Sequence, residues 1–254
     1  MDLGLADKVV LVTGAGQGLG CAIALAFASE RAHVAFHCHA SVAGAEAGAA
    51  EARKRGVKGI VVRADLRDDA AVAEAVERVE RELGPIDVLV NNAAATQRRR
   101  FLETTSADWA DQIDVTVTGM LRMTHAVVRR MADRKSGAIV NLMGDSGRVG
   151  ESGLLVTATA RASTVGLTKS LAKEFARVGV RANCVSMGLV QTDNFEAHAG
   201  GADAARMAKI AAQYPLGRVG RPDDVTPLIL LLASPRASWI TGQVMSANGG
   251  YAMP

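Results

Sequence analysis

Lys8-Val9-Val10-Leu11-Val12-Thr13 runs without a break into Gly14-Ala15-Gly16-Gln17-Gly18-Leu19-Gly20, and this stretch decides the fold. Its first half is apolar on both alternations, as suits a strand covered on both faces of a parallel sheet. Its second half is a glycine-rich turn, and Ala22, Ile23, Leu25, Ala26 and Phe27 follow as a helical run. Strand, glycine turn and helix in that order form a phosphate cradle. Glycines let backbone amides approach a pyrophosphate, and the helix N-terminus adds partial positive charge. Gly14, Gln17, Gly18, Leu19 and Gly20 are therefore the first candidate contacts, spaced Gly-x-x-x-Gly-x-Gly.

The theme recurs outward from there. Short apolar runs stand at His33–His37, Gly59–Val62, Ile86–Asn91, Ala138–Asn141, Val180–Val185 and Gly242–Met245, making seven with the first. Helical patterns lie between them, such as Asp69 to Leu83 with Val72, Val76, Val79 and Leu83 on one stripe. Alternating strand and helix imply an α/β parallel sheet covered on both faces. No linker or low-complexity segment interrupts the chain, so residues 1–254 read as one domain.

The composition narrows the class. The 254 residues are 49% hydrophobic and 22% charged, which excludes wholesale disorder. A net charge of +3, spread along the chain, gives no nucleic-acid signature. No stretch reaches the roughly 18 uncharged apolar residues of a membrane span, and the N-terminus has no signal-peptide pattern. A cytoplasmic protein without membrane or nucleic-acid partners is expected. Three scattered cysteines, Cys21, Cys38 and Cys184, argue against disulfides or zinc. His37 and His39 read as strand-end residues, and their alternation across a strand forbids a joint metal site with Cys38.

Further motifs tie the chain to a family. Asp65-Leu66 follows the third strand. Asn91-Asn92-Ala93-Ala94 ends the fourth, and Gly217-Arg218-Val219-Gly220-Arg221-Pro222 and Thr241-Gly242-Gln243 lie near the C-terminus. Together with the glycine spacing, these resemble the short-chain dehydrogenase/reductase family over essentially the whole length. The resemblance implies a Rossmann-type doubly wound sheet with a nicotinamide dinucleotide at its edge. Gly14, Gln17, Gly18, Leu19 and Gly20 would take the pyrophosphate side, and Cys38 would stand where NAD users carry an acidic residue for the ribose. Asp65 and Leu66 would lie at the adenine, Asn91 and Ala93 beside the nucleotide, and Thr192 near the carboxamide. With Gln17 and Cys38, neither the NAD nor the NADP charge pattern is complete. Met187 replaces the proline usual after the sixth strand.

The resemblance also implies a catalytic tetrad of Asn, Ser, Tyr and Lys, and here none of the four is intact. Ile139-Val140-Asn141 upstream and Gly166-Leu167-Thr168-Lys169 downstream fix the correspondence, which puts Thr116, Gly144, Thr157 and Arg161 at those positions. The only tyrosines are Tyr214 and Tyr251, and neither has a lysine four residues on. A threonine hydroxyl does not titrate within reach of neutral pH as a tuned phenol does. A catalytically silent subunit is the leading expectation. It would be paired in a heterotetramer with an active relative that binds NAD, and its own NAD(P) binding would be weak or absent. Arg98, Arg99 and Arg100 are candidates for the phosphates of a CoA-ester substrate, and Leu167 on the helix from Thr157 to Arg177 is a candidate for subunit contact. Two other classes stay open. One is an enzyme rebuilt around Asp145, Ser146 and Glu151, and the other is a nucleotide-sensing regulator working alone.

Overall fold

Residues 2–192 and 204–253 are described by a computed structural model. Seven strands form one sheet: β1 Val9–Val12, β2 His33–Cys38, β3 Gly59–Arg63, β4 Val88–Asn91, β5 Gly137–Gly144, β6 Val180–Met187 and β7 Val244–Ala247. Their order is β3-β2-β1-β4-β5-β6-β7, and every pairing is parallel. The sheet is doubly wound, with its switch between β1 and β4. Val9 to Val12 are all buried, as the unbroken apolar run requires. Gly242 and Gln243, expected within the last strand, instead form the turn that enters it, with Gly242 at φ +73°.

Helices cover both faces. Against one face lie α1 Gly18–Ser29 and α2 Val42–Lys54; against the other lies α3 Asp69–Leu83. Further along come α4 Ser106–Ile113, α5 Gly119–Arg134, the short α6 Ser146–Val149 and the long α7 Leu155–Phe175. The last two helices are α8 Ala204–Ala211 and α9 Pro222–Ala233. One core cluster joins α1, α2 and α9 to the sheet, and the other joins α3, α5 and α7. Local signals set several starts. Asp68 accepts from the Ala70 and Ala71 amides to cap α3, and Thr105 with Asp108 forms a capping box on α4. Between α4 and α5 the chain makes a π-helical turn, Asp114–Thr118, which widens the helix at Thr116. Among the described residues, no helix is long and apolar enough to cross a membrane.

Candidate functional site at the carboxyl edge of the sheet

The glycine turn sits where β1 ends, at the switch point, where open α/β sheets bind ligands. Gly14 (φ +66°) and Gly18 (φ +54°) take backbone conformations that disfavour other residues. A Cβ at Gly20 would run into the Gly14 carbonyl. The turn is held by residues the sequence did not single out. Thr13 Oγ1 donates to the Val90 carbonyl at 3.3 Å and accepts from the Asn92 and Ala93 amides at 2.9 and 3.0 Å. Asn92 Nδ2 donates to the carbonyls of Thr13 (2.9 Å) and Gly14 (3.3 Å). Thr192 stands across the turn, its hydroxyl 3.5 Å from where a Gly18 Cβ would lie.

His37 is the third brace, not a mere strand end. It is buried, and its Nδ1 accepts from the Gly14 amide at 3.2 Å while Nε2 has no partner among the described residues. Burial, reinforced by His39, lowers its pKa to about 4, against opposing effects of the Ala64 backbone and Asp65. The neutral ring is the one that fits, because a proton on Nδ1 would remove the acceptor from Gly14. The unfolded chain therefore binds the extra proton first, so His37 favours folding fully above pH 6.5 and less as pH falls towards 4. Between pH 7 and 5 this predicts a loss of roughly 2 kcal/mol of stability through His37. Denaturant melts of the native chain and His37→Gln at both pH values check it. An equal pH dependence in the two proteins would contradict it.

The adenosine end is sparse in free groups. Cys38 is buried and its thiol pKa is raised, chiefly by burial. Gln17 Oε1 accepts from the Ser41 hydroxyl at 3.2 Å, and a Cβ at Gly16 would meet the Ser41 carbonyl at 2.5 Å. Asp65 is engaged bidentately by Arg67 (3.0 and 2.8 Å), which holds its pKa at about 2, and it faces His39 at 3.6 Å. Leu66 is buried against Gly119. Asn91 points inward: its amide donates to Thr124 and Asn141, both at 2.9 Å, and Asn141 continues to Thr168.

Three of the four catalytic positions converge on one strap, Ala95-Thr96-Gln97. Thr116, on the π turn and 5% exposed, accepts from the Ala95 amide at 3.1 Å and donates to the Ala95 carbonyl at 3.3 Å. Arg161 Nη2 donates to Thr96 Oγ1 at 3.2 Å. Thr157, 1% exposed, accepts weakly from the Gln97 amide at 3.4 Å and donates to Gln112 Oε1 at 2.5 Å. At Gly144 a Cβ would touch Arg161 Cδ at 3.5 Å and Nε at 3.7 Å, so the absent serine leaves its space beside the guanidinium. Three side chains at positions of chemistry thus act as fasteners. The partners Ala95, Thr96 and Gln112 carry no motif and sequence reasoning passed over them, while Gln97 stood out only as the start of the arginine run.

Neighbouring groups are also committed. Arg98 pairs with Glu151 and donates to the Ser152 carbonyl at 3.1 Å, and Arg99 faces Asp108 at 3.4 Å. Arg100 is exposed and has no carboxylate among the described residues. The Asp145 carboxylate, buried, accepts from Ser186 Oγ at 2.5 Å and Asn248 Nδ2 at 2.6 Å. The two tyrosines stack at 5.1 Å, and the Tyr214 hydroxyl accepts from the Leu189 amide at 2.8 Å. The tyrosines therefore hold the loop after Met187. On α7, Leu167 packs partly buried against the core.

The fold and site thus define a dinucleotide-type cradle whose catalytic end carries other residues. A family model described as enoyl-(acyl carrier protein) reductase matches residues 14–252. The chain is 37% identical over 244 residues to an acetoacetyl-CoA reductase of Shinella zoogloeoides, covering 96% of this chain and 98% of that one. It is 35% identical to a 3-oxoacyl-(acyl-carrier-protein) reductase of Staphylococcus aureus, over 97% of this chain and 98% of that one. A crystal structure of a protein described as a short-chain alcohol dehydrogenase, from Sinorhizobium meliloti 1021, superposes with a TM-score of 0.93 at 30% identity. It covers 99% of this chain and 98% of that one. This chain belongs to the short-chain dehydrogenase/reductase family, whose members generally bind NAD(P).

Proposed function

We propose that this chain is a catalytically silent subunit supporting an active short-chain dehydrogenase partner in a heterotetrameric, NAD-dependent hydroxyacyl-CoA dehydrogenase. The observation that carries the reading is the strap. Thr116, Thr157 and Arg161 stand at the positions of chemistry and each bonds one of its three successive residues. No phenol, lysine or serine replaces them there. The rebuilt-enzyme reading loses support because Asp145 is bound to Ser186 and Asn248, and Glu151 to Arg98. Relatives named for acetoacetyl-CoA and 3-oxoacyl substrates support a thioester as the complex's substrate. The lack of a tetrad in an otherwise intact fold resembles the degenerate subunit of the two-subunit dehydrogenase of anaerobic toluene breakdown. That likeness makes 2-(hydroxy(phenyl)methyl)succinyl-CoA, of the benzylsuccinate pathway, the specific substrate proposed. Arg100, the arginine of its run without a carboxylate, is the proposed contact for CoA phosphates.

Association has structural support. Ile113 and Leu155 are exposed apolar residues on the packed helices α4 and α7, and Leu121 is exposed on α5. Trp239 is 98% exposed beside the C-terminal tail. A partner covering these side chains would remove apolar surface from water. The test is the purified chain alone. It is expected to show no NAD(P)-dependent turnover of 3-hydroxyacyl-CoA. In calorimetry it is expected to bind NAD(H) or NADP(H) with a Kd above roughly 0.1 mM, or less than about 5.5 kcal/mol. Ordinary turnover overturns the silent reading, and low-micromolar affinity replaces it with the sensor.

A further inference from the structure

We propose that Arg161 and Ser146 form an anion-binding site in the former catalytic pocket, taking the carboxylate or phosphoryl group of a small ligand. The inference rests on the silent-site reading and deepens it by naming what the pocket holds instead of a reacting carbonyl. Arg161 is partly enclosed on α7, and burial lowers its pKa. Its one side-chain partner among the described residues is the neutral Thr96 hydroxyl, and no carboxylate lies within ion-pair distance. A guanidinium offers five N–H donors in a planar fork, so most of Arg161's donors have no acceptor among the described residues.

A second group points to the same space. The Ser146 hydroxyl forms no hydrogen bond with the described residues, and it lies 3.7 Å from where a Gly144 Cβ would be. Arg161 Nε lies 3.7 Å from that same point. A Cβ at Gly144 would stand in ordinary contact with both, so the glycine leaves a small space bordered by a cation and by a hydroxyl without a hydrogen bond among the described residues. Among the described residues, the carboxylates of Asp145, Glu151 and Asp108 are already engaged. Asp145 is satisfied by Ser186 and Asn248, Glu151 by Arg98, and Asp108 by Thr105, Gln97 and Arg99. An enclosed charge without a partner is unfavourable, and a bidentate carboxylate or phosphate is the group that fits a guanidinium fork.

The test is calorimetry on the full chain with inorganic phosphate and with succinate, at ionic strength held constant with potassium chloride. Succinamide serves as the neutral control. Saturable binding of at least one anion, at least tenfold weaker in Arg161→Met and weakened in Ser146→Ala, is expected, while succinamide does not bind. Arg129→Met, on an exposed arginine of α5, is expected to bind like the native chain. Tighter phosphate identifies a phosphoryl ligand, and tighter succinate a carboxylate. Phosphate binding that survives Arg161→Met belongs to the glycine turn and overturns the proposal, as does no binding of either anion. If Arg161→Met does not fold, Arg161→Lys replaces it: the charge stays and the fork is lost, so severalfold weaker binding is expected, and unchanged affinity overturns the proposal. Turnover by the lone chain would defeat the silent-site reading while leaving these affinities as measured, so the two failures are distinguishable.

Discussion

The quadruple variant Thr116→Asn, Gly144→Ser, Thr157→Tyr, Arg161→Lys is expected to give at most trace dehydrogenase activity, about a thousandfold or more below an intact family member. Restoring residue types does not restore a site whose surroundings have closed around other residues. Thr157 is 1% exposed and tied to Gln112, so a phenol there must displace Gln112 or the strap. Overpacking of this kind costs about 1–3 kcal/mol, so the variant is also expected to melt several degrees lower. Removing Thr116 and Arg161 unfastens Ala95 and Thr96 as well. General acid–base catalysis contributes roughly 10²–10⁴-fold only when the groups are placed, and a misplacement of about 1 Å costs on the order of 10². Steady-state assays with NAD and NADP on a 3-hydroxyacyl-CoA check the expectation. Turnover like that of an ordinary family enzyme would mean that the tetrad alone had been lost.

Ala162→Glu is expected to abolish co-purification with the active partner and to lower that partner's activity, while the isolated variant keeps its melting temperature. Ala162 lies on the outward stripe of α7 with Leu155, Thr159 and Gly166, and a Cβ at Gly166 would meet open space. A charge buried there against a partner would be unpaired. Such a loss is worth about 3–5 kcal/mol, which weakens association by roughly 10²–10³-fold or more. Leu167→Glu is a poorer probe because Leu167 packs on the core and its loss reports on folding too. Size-exclusion chromatography with light scattering on the co-expressed pair reads the outcome. A complex of unchanged mass, or a partner fully active without this chain, would remove the subunit proposal.

Much of the architecture was legible because its signals are local. The run from Lys8 to Gly20 announces a buried strand, a glycine turn and a helix within one short window. The α3 stripe of Val72, Val76, Val79 and Leu83 has its face written into its spacing, and all four residues are buried. The changed residues at the tetrad positions were equally plain, since intact flanks leave no other alignment. His37 and Asn92 were not legible as braces of the glycine turn. Their partners Gly14 and Thr13 are far away in sequence, and hydrogen-bond direction is not a property of residue type.

By itself the sequence determined the seven-stranded α/β fold, the family and the residue types at the chemical positions. All of these follow from periodicity, glycine spacing and identity along the chain. Only the tertiary structure decided what those residues do. It joins Thr116, Arg161 and Thr157 to Ala95, Thr96 and Gln97, turns Asn91 inward, and couples Arg98 and Arg99 to carboxylates. It also places the Arg161 guanidinium beside the gap at Gly144. The physical reason is that a side chain's availability depends on which distant groups satisfy its donors, acceptors and charge, and folding is what brings those groups together.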